Sequence, residues 1–86
     1  MKGENYMDLQ FPSRSSNEAF ARSAIACFAA QLDPTLDELG DIKTAVSEAV
    51  TNCIVHAYPS TIGPVTLKAR ILPDRVLDIV VKDKGC

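Results

Sequence analysis

Between Thr35 and Tyr58, apolar residues return at every third or fourth position: Leu39, Ile42, Val46, Ala49, Val50, Cys53, Ile54 and Ala57. This is the clearest helical period in the chain. It predicts one long helix over 35–58 that must lay its apolar side against other elements, because helices draw most of their stability from packing. Thr35 and Glu38 stand at capping-box spacing at its start. Gly40 is expected to weaken or kink the first turn, and Pro59 closes the far end.

The flanking segments supply the surface this helix needs. Met7 to Pro12 reads as a short strand with Leu9 and Phe11 on one face and Asp8 and Gln10 on the other; Pro12 suits a strand end. Ser15 and Glu18 repeat the capping-box spacing before a helix over 17–32, whose apolar stripe is read as Phe20, Ala24, Cys27 and Phe28, continuing to Gln31 and Leu32. Asp33-Pro34 stops it, since the residue before proline avoids the helical region. Val65, Leu67, Ala69 and Ile71 alternate with Thr66, Lys68 and Arg70, Pro73-Asp74 signals a turn, and Leu77, Ile79 and Val81 share a face of the next strand. The pair 65–71 and 76–82 reads as an antiparallel hairpin. Strand, helix, helix, strand, strand predicts an α+β two-layer sandwich, with both helices on one face of an antiparallel sheet, in a single domain over 1–86 whose first six residues are loose.

Composition narrows the function classes. The chain has 86 residues, of which 47% are apolar, enough for one small core. A net charge of −2 gives no basic surface for nucleic acid. No apolar run approaches bilayer length, and the opening MKGENYMDLQ has no apolar secretory core, so a cytoplasmic protein without membrane attachment is expected. Cys27, Cys53 and Cys86 lack metal-ligand spacing. Cys27 and Cys53 fall in apolar helical patterns and are read as small buried hydrophobes.

The segment SEAVTNCIVHAY, Ser47 to Tyr58, carries the chemistry. Glu48, Asn52 and His56 are four apart and drift only about 40° per step, forming one polar stripe. That stripe is placed on the shoulder of the apolar face, where polar groups can line a cleft. A carboxylate there can take a proton from an attacking hydroxyl. An Asn carboxamide oxygen is a hard, neutral ligand suited to Mg²⁺ carrying substrate phosphates. One helical turn between them would hold nucleophile and metal side by side. Glu and Asn at this spacing are equally compatible with a surface hydrogen-bonded pair. Asp83-Lys84-Gly85 follows the last strand. Asp83 can accept from the exocyclic amine of a base, and Gly85 allows close approach of backbone to ligand, although Asp-x-Gly is also ordinary turn chemistry. His56 is read as a packing residue.

Taken in order, Glu48-x-x-x-Asn52, a hairpin and Asp83-x-Gly85 resemble the Bergerat (GHKL) ATP-binding fold shared by gyrase, histidine kinases and MutL. NEAFAR (17–22), AQLDPTLDEL (30–39) and IKTAVSEAVTN (42–52) sharpen the resemblance to the serine-kinase anti-sigma factors of spore-forming bacteria, over about 7–85.

The resemblance implies a homodimer that sequesters a sporulation sigma factor and uses ATP and Mg²⁺ to phosphorylate a serine of an anti-anti-sigma factor. By position, Glu48 would be the general base, Asn52 the Mg²⁺ ligand, Asp83 the adenine reader and Gly85 a border of the nucleotide. Arg22 matches an arginine that contacts protein partners, and a solvated helix arginine remains the alternative. Lys84 stands where the family commonly has an acidic residue, and Cys86 precedes the glycine expected next. The family's glycine-rich lid and remaining strands lie beyond these residues. The 86 residues alone are therefore expected to bind ATP poorly and to have negligible kinase activity. Two other readings stand beside this one: a non-catalytic partner-binding fragment, and the ATPase domain of a sensor histidine kinase. The second would need a preceding dimerisation segment, and few residues precede the first helix.

Overall fold

The structure is a computed structural model, and it describes residues 5–84. Strand β1 spans Asn5–Pro12, helix α1 Ser16–Ala29 with a 3₁₀ turn Ala30–Leu32, and helix α2 Leu36–Asn52 with a π-helical turn Cys53–Ala57. Strands β2 (Pro64–Leu72) and β3 (Val76–Asp83) follow, joined by the turn Pro73–Arg75. The fold is α+β: both helices cover one face of an antiparallel sheet in the order β1-β2-β3.

Strand β2 is central, and its alternation decides which face is covered. Val65, Leu67, Ala69 and Ile71 are all buried. Register places Phe11 opposite Val65, and Leu67 opposite both Leu9 and Val81, so each strand contributes its apolar set to one side. The helices meet this face with Ala21, Ile25 and Phe28 from α1 and Val46, Val50 and Cys53 from α2. The α1 helix lies toward β1 and α2 toward β3, while the two helices pack on each other. The other face of the sheet is mostly polar, with Tyr6 and Val80 exposed among the charges. Its ion pairs join cross-strand neighbours: Lys68 to Asp8 at 3.8 Å and Arg70 to Asp78 at 2.8 Å.

Two expectations for α1 change. Its buried stripe is Ala21, Ile25, Phe28 and Ala29: Phe28 and, beyond it, Leu32 pack as expected, while Ala21 and Ile25 take the places expected for Phe20 and Ala24. Both sets satisfy helical spacing, but Ala21 is small enough to let the helix lie close over the core. Phe20 is half exposed and packs its ring edge-on to Phe11, with centroids 6.2 Å apart. Cys27 is exposed, so only Cys53 behaves as a buried thiol; Cys86 lies outside the described residues. The Ser15–Glu18 capping box does not form either. Ser15 itself adopts helical angles and makes no side-chain cap. Helix α2 keeps its expected core stripe, and Gly40 sits within it without a break.

Candidate functional site

Helix α2 turns its chemistry outward. Glu48 is two residues on from buried Val46 and so is rotated about 200° away from it. Glu48, Asn52 and His56 are all exposed, rather than lying at the margin of the core. The expected cleft is instead an open groove between the helices, lined by Glu18 and Arg22 of α1 and by Ser47, Glu48, Thr51 and Asn52 of α2. Of the site residues expected from sequence, Arg22, Glu48 and Asn52 are thus brought together.

The α1 wall of the groove is fixed by Glu18. One carboxylate oxygen, Oε2, accepts from Arg22 Nη1 at 3.0 Å and from Ser47 Oγ at 2.5 Å. The first bond is a helical i,i+4 ion pair. The second crosses from α2, so one carboxylate orients Arg22 and joins the helices. Glu18 Oε2 is thus engaged across the helices, and the missing cap goes with the helical angles of Ser15. Neither Glu18 nor Ser47 was singled out from the sequence as a site residue. The Glu18/Arg22 spacing was the available signal, and capping-box spacing masked it.

Asp83 sits at the other flank of α2. Its Oδ2 accepts from the buried thiol of Cys53 at 3.5 Å. Asp83 therefore lies on the helix side of the sheet, beside the residue that follows Asn52, although it does not line the Glu48 groove. Burial first, then the hydrogen bond to Asp83 and its negative charge, push the Cys53 thiol up to about 11. The thiol consequently remains protonated at neutral pH and acts as a donor to the carboxylate.

Tyr58 completes this flank. Its buried hydroxyl donates to the Pro64 carbonyl at 2.8 Å and accepts from the Lys84 N–H at 2.6 Å. The start of β2 and the end of β3 are thereby joined through one side chain. Gly63 makes room for the ring: a Cβ at that position would stand 2.1 Å from Tyr58 Cε1. Sequence reasoning took Tyr58 only as the end of the helix. Gly85 lies outside the described residues.

The chemistry of these groups suits a nucleotide with a metal-bound phosphate tail, with Asp83 on one flank of α2 and Glu48 and Asn52 in the groove on the other. Asp83 is an acceptor at a strand end for a base amine, Asn52 is a neutral carboxamide adjacent in the chain to the Cys53 that holds Asp83, and Glu48 is a carboxylate one turn before Asn52. Among the described residues no cluster of three His, Cys, Asp or Glu side chains could hold a metal ion. An Mg²⁺ held at Asn52 would take most of its coordination from phosphates and water, as this ion commonly does. No helix among the described residues is long and apolar enough to cross a membrane.

Residues 11–86 match the histidine kinase-like ATPase domain family. The chain is 55% identical over 86 residues to the anti-sigma F factor of Caldanaerobacter subterraneus subsp. tengcongensis, covering 99% of this chain and 60% of that protein. It is 54% identical over 82 residues to the anti-sigma F factor of Clostridium acetobutylicum, covering 95% of this chain and 57% of the relative. With the anti-sigma F factor of Geobacillus thermodenitrificans the identity is 49% over 81 residues, covering 94% of this chain and 56% of the relative. The chain thus spans well under two thirds of the length of these curated relatives. It belongs to the histidine kinase-like ATPase family, and within that family its similarity runs to the anti-sigma F factors.

Proposed function

We propose that the protein carrying this chain is a cytoplasmic, ATP-dependent protein-serine kinase that also binds and restrains a sporulation sigma factor, acting as a homodimer. The observation that carries the ATP reading is the placement of Asp83 on the helix side of the sheet, against Cys53, the residue that follows Asn52. Had Asp83 faced the opposite side, no nucleotide could reach both residues.

In this reading the Asp83 carboxylate accepts from the adenine amine and Gly85 lets the base approach the backbone. Asn52 offers its carboxamide oxygen to Mg²⁺, which when bound neutralises phosphate charge. Glu48 takes the proton of the incoming serine hydroxyl as that oxygen bonds to the γ-phosphorus and the bond to the β,γ-bridging oxygen breaks, leaving ADP and phosphoserine. The serine would come from an anti-anti-sigma factor. Glu48 is exposed in an open groove, so a protein substrate can reach it. Arg22 lines the same groove and is partly exposed, which suits a contact with a protein partner.

The test is phosphate transfer from ATP to an anti-anti-sigma factor by the full-length protein. Glu48→Ala should lower the rate by about 100-fold or more while ATP still binds. Asn52→Ala should abolish Mg²⁺-dependent ATP binding and leave the fold intact. Unimpaired transfer by Glu48→Ala would remove the base from the mechanism. Arg22→Ala should weaken sigma-factor binding while sparing nucleotide.

A further inference from the structure

The last turn of α2 is not α-helical. The Tyr58 N–H donates to the Cys53 carbonyl at 3.1 Å, a bond between residues five apart that marks a π turn. Residues five apart on an α-helix point about 140° away from each other. The wider turn brings them toward a common side, and both meet the end of β3. Cys53 gives its S–H to the Asp83 carboxylate at 3.5 Å, and the Tyr58 hydroxyl holds the Lys84 N–H at 2.6 Å. One grips the side chain of Asp83 and the other grips the main chain just after it.

The groups on each side are anchored. Tyr58 is buried, and its hydroxyl is fixed in direction by donating to Pro64 O at 2.8 Å. The Pro64 end is held in turn by Gly63, which exchanges two hydrogen bonds with buried Ser13: Ser13 N–H to Gly63 O at 2.9 Å and Gly63 N–H to Ser13 Oγ at 3.0 Å. Cys53 sits in the core. π turns are ordinary at helix C-termini. This one does something definite, which is to direct two side chains at a strand end that an unbroken helix would have split between two directions.

We propose that the Cys53–Tyr58 π turn is a positioning element for adenine recognition, with Tyr58 setting the backbone at Asp83–Lys84 and Cys53 orienting the Asp83 carboxylate. The inference rests on the reading of Asp83 as the adenine acceptor. It adds two residues to that reading and a specificity role for each. Neither is a catalytic residue, since neither is placed to touch the reacting phosphate.

The experiment compares ATP with ITP, in which the 6-amino group is replaced by a carbonyl oxygen. Affinities are measured by calorimetry on the full-length protein. Asp83→Asn serves as the reference and should erase most of the preference for ATP. Tyr58→Phe keeps the ring against Gly63 and removes both hydroxyl bonds. It should weaken ATP about ten-fold and ITP less than two-fold, moving the ATP/ITP ratio toward that of Asp83→Asn. Cys53→Ala should lower the same ratio about three-fold. An equal loss for both nucleotides in Tyr58→Phe would mean support of the fold alone and overturn the proposal. So would an unchanged ratio in Tyr58→Phe beside a collapsed ratio in Asp83→Asn, and adenine reading by Asp83 would then survive. If Asp83→Asn keeps its preference, the adenine reading itself fails and takes this inference with it. Should Tyr58→Phe not fold, Cys53→Ala decides, and an unaltered ratio there overturns the proposal.

Discussion

At its N-terminal end, α2 is closed by two bonds within four residues: Thr35 N–H to Glu38 Oε1 at 2.8 Å and Glu38 N–H to Thr35 Oγ1 at 3.1 Å. At its C-terminal end the side-chain partners are far away in sequence. Cys53 reaches 30 residues on to Asp83, and Tyr58 reaches 26 residues on to Lys84. The first end forms from local chemistry and could exist in an isolated helix. The second exists only when β3 has docked. Candidate function gathers at the second end, so its ligand groups are set by tertiary structure, and substitutions there should disturb stability and binding together.

The largest effect should come from Gly63→Ala. The added methyl would lie 2.1, 2.5 and 2.6 Å from three carbons of the Tyr58 ring. The ring cannot move without giving up its bonds to Pro64 and Lys84. Overpacking together with disturbed buried hydrogen bonds should cost about 3 kcal/mol, read as a lower urea midpoint of the full-length protein. A loss below about 0.5 kcal/mol, within the range of ordinary surface substitutions, would mean that the Tyr58 pocket is loose. The positioning of β3 from this end would then lose its basis.

The Cys53 thiol gives a pH dependence with a defined sign. Its pKa rises from the ordinary 9.0 to about 11 in the folded chain, mainly through burial. The folded protein therefore keeps a proton that the unfolded chain gives up. The resulting stabilisation is complete below pH 9 and is lost as pH rises toward 11. By about pH 10.5 the loss should reach about 2 kcal/mol. Denaturation of the wild type and of Cys53→Ala at pH 7.5 and at pH 10.5 isolates this contribution, because the cavity cost of the variant is the same at both. Parallel losses in the two proteins would show that the thiol is not held by its surroundings. At pH 8 a thiol reagent should modify exposed Cys27 quickly and Cys53 slowly.

The same contrast explains what was legible in the sequence. The apolar stripe of α2, the alternation of β2 and β3, and the order of elements give the α+β sandwich, because each follows from a period that burial enforces. Glu48, Asn52 and Asp83 were visible as a motif. Their surroundings were not. On α1, Phe28 and Leu32 pack as expected, but Phe20 and Ala21 both begin stripes of helical spacing that reach Phe28, and only the sheet chooses Ala21 and Ile25. The outward turn of Glu48 and Asn52 does not follow from their small drift relative to each other, because their angle from Val46 and Val50 decides exposure. The contacts of the π turn with Asp83 and Lys84 and the bond between Ser47 and Glu18 join residues 26 to 30 apart, which no local pattern encodes.

The smallest effects test the local end and its failed twin. Ser15-x-x-Glu18 and Thr35-x-x-Glu38 have the same spacing, yet only the second forms a capping box. Thr35 is extended, with φ −67° and ψ 165°, which aims its hydroxyl at the Glu38 N–H; Ser15 is already helical, with φ −59° and ψ −30°, and makes no such bond. Thr35→Ala should therefore cost about 1 kcal/mol. Ser15→Ala should cost no more than a few tenths, the range of surface substitutions that remove no interaction. The difference would be measured as the gap between their urea midpoints. Equal costs would mean that Ser15 caps α1 in solution. Glu18 would then be shared between the helix start and Ser47, and the α1 wall of the groove, with Arg22 on it, would be less firmly set than the bond at 2.5 Å implies.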